Sequence, residues 1–270
     1  MRVSPGEQSA AQAREQEVLA ALAALGGYFD LRLLTADAAP AGLRSFAELY
    51  DCPDVVAARM AWVADRFGPV EPRVAASVTH LGFAARLVSP ALAAACAGVV
   101  VDIPPASLLW EPNTEQVTSW LSGPYRFAAA PAAAAEVAQA LAGTLLERHL
   151  VPLGAAVRDR NRISPRLLWG NVAAAVGGAV MMISLHRPEW ADRAAAVAAA
   201  LLERPPLAGL GRLVQPDAGR PHRFFVRRSC CLYYRAPGGS KCGDCALLDE
   251  DTRARQWQEI LSAGEGSAQA

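Results

Sequence analysis

The sequence predicts a mainly α fold: a helical body with a small β element and a short C-terminal metal-binding segment. Three observations predict it. The composition is 53% hydrophobic and dominated by alanine, the strongest helix former. Apolar residues recur at helical spacing along most of the chain. Four of the six cysteines fall in one turn-rich stretch, Cys230 to Cys245. At 270 residues the chain is long enough to bury a proper core, and we divide it into a helical body, 1–205, and a C-terminal region, 206–270.

Taken in order, Ala10, Ala13, Val18, Leu19, Leu22 and Leu25 give one face of a first helix, ended by Gly26-Gly27. Tyr28 to Leu34 reads as extended and Ala38 to Gly42 as a loop. A second helical block runs from near Ser45 to Phe67, with Asp54 as a cap and Gly68-Pro69 as the stop. A third spans Pro72 to Leu87, and Ser89-Pro90 is expected to start a fourth, Ser at the cap and Pro in the first turn. Val99 to Ile103 is β-branched and reads as a strand, with Leu108-Leu109-Trp110 as its returning partner. Ala130 to His149 is helical, followed by Val151 to Arg162. Ser164-Pro165 repeats the cap device and launches a long apolar helix to about Leu185. Pro188-Glu189-Trp190 starts an alanine-rich helix that ends near Pro205-Pro206. Pro205 to Pro221 reads as a linker, Phe224 to Val226 as a short strand, Asp249 to Leu261 as a last helix with Trp257 against the cysteine segment, and Gly264 to Ala270 as a disordered end.

Charge narrows the function classes. Lys and Arg number 26, as do Asp and Glu, and a chain with no basic excess is not expected to bind nucleic acid. No apolar h-region follows Met1 to Gln8, so no signal peptide is expected and the expected location is cytoplasmic. The uncharged run Leu167 to Leu185 is long enough for a membrane span. Its Gly170, Asn171, Gly177, Gly178 and Ser184 favour a buried helix in a soluble core, so no integral membrane segment is expected.

Four clustered thiols point to a metal site. Cys242-Gly243-Asp244-Cys245 is a two-residue-spaced pair whose glycine lets the backbone turn both sulfurs inward. Cys230-Cys231 is less usual, since adjacent side chains in an extended segment point to opposite sides. Both can serve one centre if the backbone kinks or if the centre holds two metal ions. Pro237-Gly238-Gly239 folds the halves together. Structural zinc usually takes two two-residue-spaced pairs, a disulfide needs an oxidising compartment, and the plant-type ferredoxin spacing is absent. An iron–sulfur cluster on an unusual Cys-Cys-x10-Cys-x2-Cys arrangement is the remaining reading. Cys52 and Cys96 stand alone and read as ordinary thiols.

That spacing, near the end of a mostly helical chain of this size, resembles the FhuF-like ferric-siderophore reductases. Arg166-Leu167-Leu168-Trp169-Gly170-Asn171 and His80-Leu81-Gly82-Phe83-Ala84-Ala85-Arg86 are similar to further segments of that family. The resemblance implies a [2Fe-2S] cluster held by Cys230, Cys231, Cys242 and Cys245. It also implies a substrate-binding body and one-electron reduction of a ferric siderophore of hydroxamate type. No catalytic residue beyond the cluster is then required. No nucleotide-binding glycine loop is present, so electrons are expected from an external donor such as reduced ferredoxin or a flavoprotein. Arg220, Arg223, Arg227, Arg228, Arg235 and Lys241, with no acidic residue among them, are expected to offset the cluster's charge and attract an anionic chelate. The alternative for that flank is pairing with Asp249-Glu250-Asp251. Arg166, Trp169, Asn171, His80, Arg228 and Arg235 are the candidate substrate-binding residues. A cluster-based redox or iron-sensing regulator and a zinc-stapled interaction protein are the alternative functions.

Overall fold

The computed structural model describes residues 5–35, 40–116, 118–159 and 161–267. Of the expected loop from Ala38 to Gly42, residues 38 and 39 lie outside them, as do 268–270 of the expected disordered end. The fold is mainly α with short strands, as the alanine content and helical periodicity predict. Helix α1 (Pro5–Leu25) stops at Gly26-Gly27, both at positive φ, and strand β1 (Leu31–Leu33) follows. Strand β2 (Arg44–Ser45) leads into α2 (Phe46–Asp51), where Ser45 and Glu48 form a reciprocal capping box. The expected single block to Phe67 is therefore two helices. The second, α3 (Pro53–Phe67), has Pro53 in its first turn and Cys52 rather than Asp54 at the cap position.

Helix α4 (Pro72–Cys96) corrects the expected break at Ser89-Pro90, because Pro90 lies inside one continuous helix. Proline removes a helical hydrogen bond at a cost of about 3 kcal/mol. Leu87, Val88, Ser89, Pro90 and Leu92 to Ala95 are all buried, and that packing offsets the loss. Strand β3 (Val99–Asp102) forms where expected but pairs antiparallel with β6 (Arg126–Ala129). The expected partner, β4 (Leu108–Trp110), instead lies in a second sheet of order β1-β5-β4-β2 with β5 (Ser119–Leu121). Helix α5 (Ala134–Leu141) continues through a π-helical stretch, 142–150, into α6 (Val151–Asp159). The Ser164-Pro165 device does open a helix, α7 (Pro165–His186), and α8 (Ala191–Leu202) follows. The presumed linker contains β7 (Gly211–Val214), antiparallel to β8 (Phe224–Arg227). Helix α9 (Glu250–Ser267) closes the fold and includes residues 264–267 of the expected disordered end.

Helices α4 and α7 pack along each other as the central pair. Both are long and apolar enough to cross a membrane, yet 72% of that stretch in each is buried within the fold. His149 stands in the π-helical stretch between Ile103 O, 2.8 Å from Nε2, and the Tyr50 hydroxyl, 2.9 Å from Nδ1. A carbonyl only accepts, so Nε2 carries the proton and Nδ1 accepts from Tyr50. Burial pushes His149 down to about 4 and His80 down to about 3. Both stay neutral in the fold while the unfolded chain protonates them below about 6.5. Stability is therefore unaffected above that pH and falls below it. The expected slope is about 1.4 kcal/mol per pH unit per histidine, read by denaturant titrations at pH 7.5, 6 and 5.

Candidate metal centre

The cysteine segment is fixed to the body by β8, whose side chains alternate between two faces. Phe224 points toward α9, where it stacks on Trp257 at 5.0 Å between ring centroids, beside Leu261. Phe225 points the other way, into the main core. Its ring fills space left by two glycines: a Cβ on Gly177 would lie 2.3 Å from it and one on Gly211 2.1 Å. Trp257 also donates from Nε1 to Gly243 O at 3.2 Å, which brings α9 to the second cysteine pair as expected. Arg253, one turn earlier on the same face, is buried and donates to Cys245 O and Leu248 O, both at 3.0 Å. Its role was missed from sequence, although the i, i+4, i+8 stripe Arg253, Trp257, Leu261 carries the signal.

The backbone kinks immediately after the adjacent pair. Leu232 has φ 66° and ψ 0°, a left-handed conformation that costs a non-glycine residue about 1–2 kcal/mol. Its amide donates to Cys230 Sγ at 3.3 Å, and the Tyr233 amide bonds to the Cys231 sulfur. Such donors stabilise sulfur that carries negative charge. Cys231 and Cys245 are buried, Cys230 is half-buried and Cys242 is accessible. Partial desolvation, then the Asp244 carboxylate, raises the Cys242 thiol, and Cys231 and Cys245 act in the same direction. Burial raises Cys231 while Arg227 opposes it; Cys230 adds to the rise. Cys242 is thus coupled to Cys231 and Cys245, and Cys231 to Cys230. Among the described residues no three His, Cys, Asp or Glu side chains converge as ligands for a single ion. By type and number, four cysteine thiols are the donors a two-iron cluster takes, two to each metal.

Behind Cys231 lies a buried polar chain. Arg227 Nη2 donates to Asn171 Oδ1 at 2.7 Å, Asn171 Nδ2 donates to Ser77 O at 3.0 Å, and the Ser77 hydroxyl donates to Cys231 O at 2.7 Å. Arg227 also donates through Nε to Ser229 O, while its backbone amide donates to Asp244 O. One arginine therefore links both cysteine pairs to α7. Asn171→Ala would leave the buried Arg227 Nη2 without its acceptor and remove the side-chain bond to the Ser77 carbonyl. The expected loss is about 3 kcal/mol of stability, measured by denaturant unfolding, with faster iron loss to a chelator.

Three of the six basic residues of the flank form ion pairs, and among the described residues none of these pairs uses the acidic start of α9. Arg220 pairs with Asp217, Arg223 with Asp192 and Arg235 with Glu71. Arg227 is a cation held beside the thiols, where it opposes the rise of the Cys231 thiol, and the Asp244 carboxylate accepts a hydrogen bond from Cys242. The expected substrate residues do not form one site. Asn171 and His80 are buried, Asn171 spent on the chain just described. Trp169 packs half-buried against the core. Arg166 and Arg228 are exposed, and Arg235 is committed to Glu71.

What the sequence did not disclose is a cleft of about 580 Å³ between α4 and α7, within the ~300–1,000 Å³ of small-molecule sites. Small residues open it: Ala174 and Gly178, at i, i+4 on α7, and Gly82 and Ala85, at i, i+3 on α4. Met181 and Met182 add flexible apolar wall, and the turn at Gly26-Gly27-Tyr28 also lines it. The cysteine segment and β8 contribute Arg227, Cys231, Tyr233, Cys242 and Asp244 to the lining. Two cysteines of the candidate centre therefore form part of the cleft wall.

Residues 227–247 match a family model described as the FhuF 2Fe-2S C-terminal domain. No curated protein matches the chain. The matched residues include both cysteine pairs, the kink at Leu232 and the anchoring Arg227, so this C-terminal segment is similar to the FhuF 2Fe-2S domain and a [2Fe-2S] cluster is its cofactor.

Proposed function

We propose that this protein is a cytoplasmic ferric-siderophore reductase in which Cys230, Cys231, Cys242 and Cys245 hold the cluster. The ferric chelate occupies the cleft between α4 and α7. The observation that carries this reading is that Cys231 and Cys242 line the cleft, so a bound chelate and the cluster ligands share a wall. When bound, the [2Fe-2S] cluster supplies one electron, which an external donor such as reduced ferredoxin or a flavoprotein replaces. Ferric iron becomes ferrous in the same step, and its hold on hard oxygen ligands weakens.

The residues of the chain bind and orient. The cleft is mostly apolar, and its two charged residues, Arg227 and Asp244, are of opposite sign. Such a lining suits a neutral chelate, and three singly charged hydroxamates neutralise ferric iron. A triply negative catecholate complex would find no net positive charge there. The small side chains of α4 and α7 leave room for the chelate's methylene arms, and the methionines adapt to their shape. Arg227 offsets the charge gathered on the sulfurs, which favours the reduced state.

Ala85→Leu adds bulk to the cleft wall away from the cysteines. The expected result is a KM for a ferric tris-hydroxamate raised about tenfold or more, with the visible spectrum and iron content unchanged. Steady-state assays across hydroxamate, catecholate and citrate chelates read this directly. An unaltered KM for every chelate would remove the cleft from the mechanism.

A further inference from the structure

Beside the large cleft, and sharing Tyr28, Val78 and Gly82 with it, is a smaller pocket of about 110 Å³. One water takes about 30 Å³ of liquid volume, so the space admits a small polyatomic ion. Its wall carries two arginines, Arg59 from α3 and Arg86 from α4, together with Thr79. Arg86 is buried and donates through Nη2 to Gln116 O at 2.5 Å, while its Nε has no partner. The buried Thr79 hydroxyl has no partner either. Arg59 donates through Nη1 to Pro112 O and Thr114 O at 2.6 and 3.1 Å. Its guanidinium lies over Trp62, 4.1 Å from the ring centroid.

No carboxylate among the described residues bonds either arginine. Glu115 also lines the pocket, but its side chain is exposed and paired with Arg66. Burial, and then the Arg59 charge, lowers Arg86 to about 10, while burial lowers Arg59. Two partly desolvated cations held at one small cavity repel each other and cost free energy unless an anion joins them. The residues that wall this cavity also carry a buried guanidinium N–H and a buried hydroxyl that have no hydrogen-bond partner among the described residues.

We propose that the pocket of Arg59, Thr79 and Arg86 is an oxyanion-binding site adjoining the cleft, which takes a phosphate or carboxylate group. The group is either a free anion or a substituent of the molecule lying in the cleft. The site does not depend on the redox reading, because none of the three residues lies in the cysteine segment.

The probe is inorganic phosphate, titrated into the full-length protein by calorimetry at constant ionic strength, with chloride as the control anion. Saturable binding is expected in the wild type. Thr79→Val, which keeps the side-chain shape, should weaken it about tenfold, and Arg59→Gln about tenfold or more, as loss of charge-assisted hydrogen bonds predicts. Thr79→Val decides the matter alone if Arg59→Gln does not fold. Absence of saturable binding, or equal binding by wild type and Thr79→Val, overturns the proposal. A second arm identifies the source. If phosphate competes with ferric citrate but not with a neutral ferric tris-hydroxamate, the group is part of the cleft ligand. If it competes with neither, the site takes a free anion.

Discussion

Cys231→Ser protein, purified without oxygen, is expected to lose or markedly alter the visible absorption of its cluster and to reduce ferric siderophore no faster than the buffer does. The reason lies in the position of this residue. Cys231 is buried, its carbonyl is tied to Ser77, and its sulfur receives the Tyr233 amide beside Arg227. A serine oxygen in that place is a harder and far less acidic ligand, and it cannot reproduce thiolate bonding to iron. Circular dichroism of the variant should remain helical, since α4 and α7 do not depend on the sulfur. Cys52→Ser and Cys96→Ser are the controls. Cys52 is exposed at the start of α3, and Cys96 ends α4, where burial pushes its thiol up to about 12. Neither should change iron content, spectrum or rate. An unchanged spectrum in Cys231→Ser would remove it from the ligand set.

Two neighbouring glycines should behave in opposite ways. Gly177→Ala puts a methyl group 2.3 Å from the Phe225 ring, which Gly211 confines from the other side. The ring can yield only by shifting β8, which carries the cysteine segment. Overpacking of this kind typically costs about 1–3 kcal/mol, a fall in melting temperature of roughly 3–10 °C for a chain of this size. Iron retention should fall with it, because β8 and Arg227 move together. Gly178→Ala meets nothing within 4 Å. It should raise stability by about 0.5–1 kcal/mol, since alanine is the better residue in a helix interior. Thermal melts of the two variants, with iron analysis, test whether Phe225 is the peg that fixes the centre.

Local chemistry was legible in the sequence wherever local chemistry decides the outcome. Ser164-Pro165 opened α7, Gly26-Gly27 ended α1, and the spacing of Cys230, Cys231, Cys242 and Cys245 carried the resemblance that implied a [2Fe-2S] segment, in line with the family match at residues 227–247. The same Ser-Pro device failed at Ser89-Pro90, because burial of the surrounding residues against neighbouring helices outweighs one missing hydrogen bond. Strand partners were misassigned for a related reason. Pairing of Val99–Asp102 with Arg126–Ala129 joins segments far apart in sequence, and no local pattern encodes it. The basic flank was visible, but its counter-ions Asp192, Asp217 and Glu71 lie outside the stretch that was counted. Asn171 stood out as a polar residue in an apolar helix. Its partners Ser77 and Arg227 are about a hundred and about fifty residues away, so its task as a buried connector was not legible. The cleft is the least legible feature, since the small residues of α4 and α7 that open it come together only in the fold.

The central claim, that the cysteine-bound cluster reduces iron held in the adjoining cleft, is tested most directly by a single anaerobic turnover. Protein with its cluster reduced beforehand is mixed in a stopped-flow instrument with a ferric tris-hydroxamate and a colourless trap that colours only with ferrous iron. The account predicts that the cluster reoxidises at a rate that saturates with chelate concentration. It also predicts that one ferrous ion is trapped per cluster oxidised, and that Ala85→Leu shifts the half-saturating concentration upward. A cluster that stays reduced in the presence of chelate, or reoxidises without releasing ferrous iron, would contradict it.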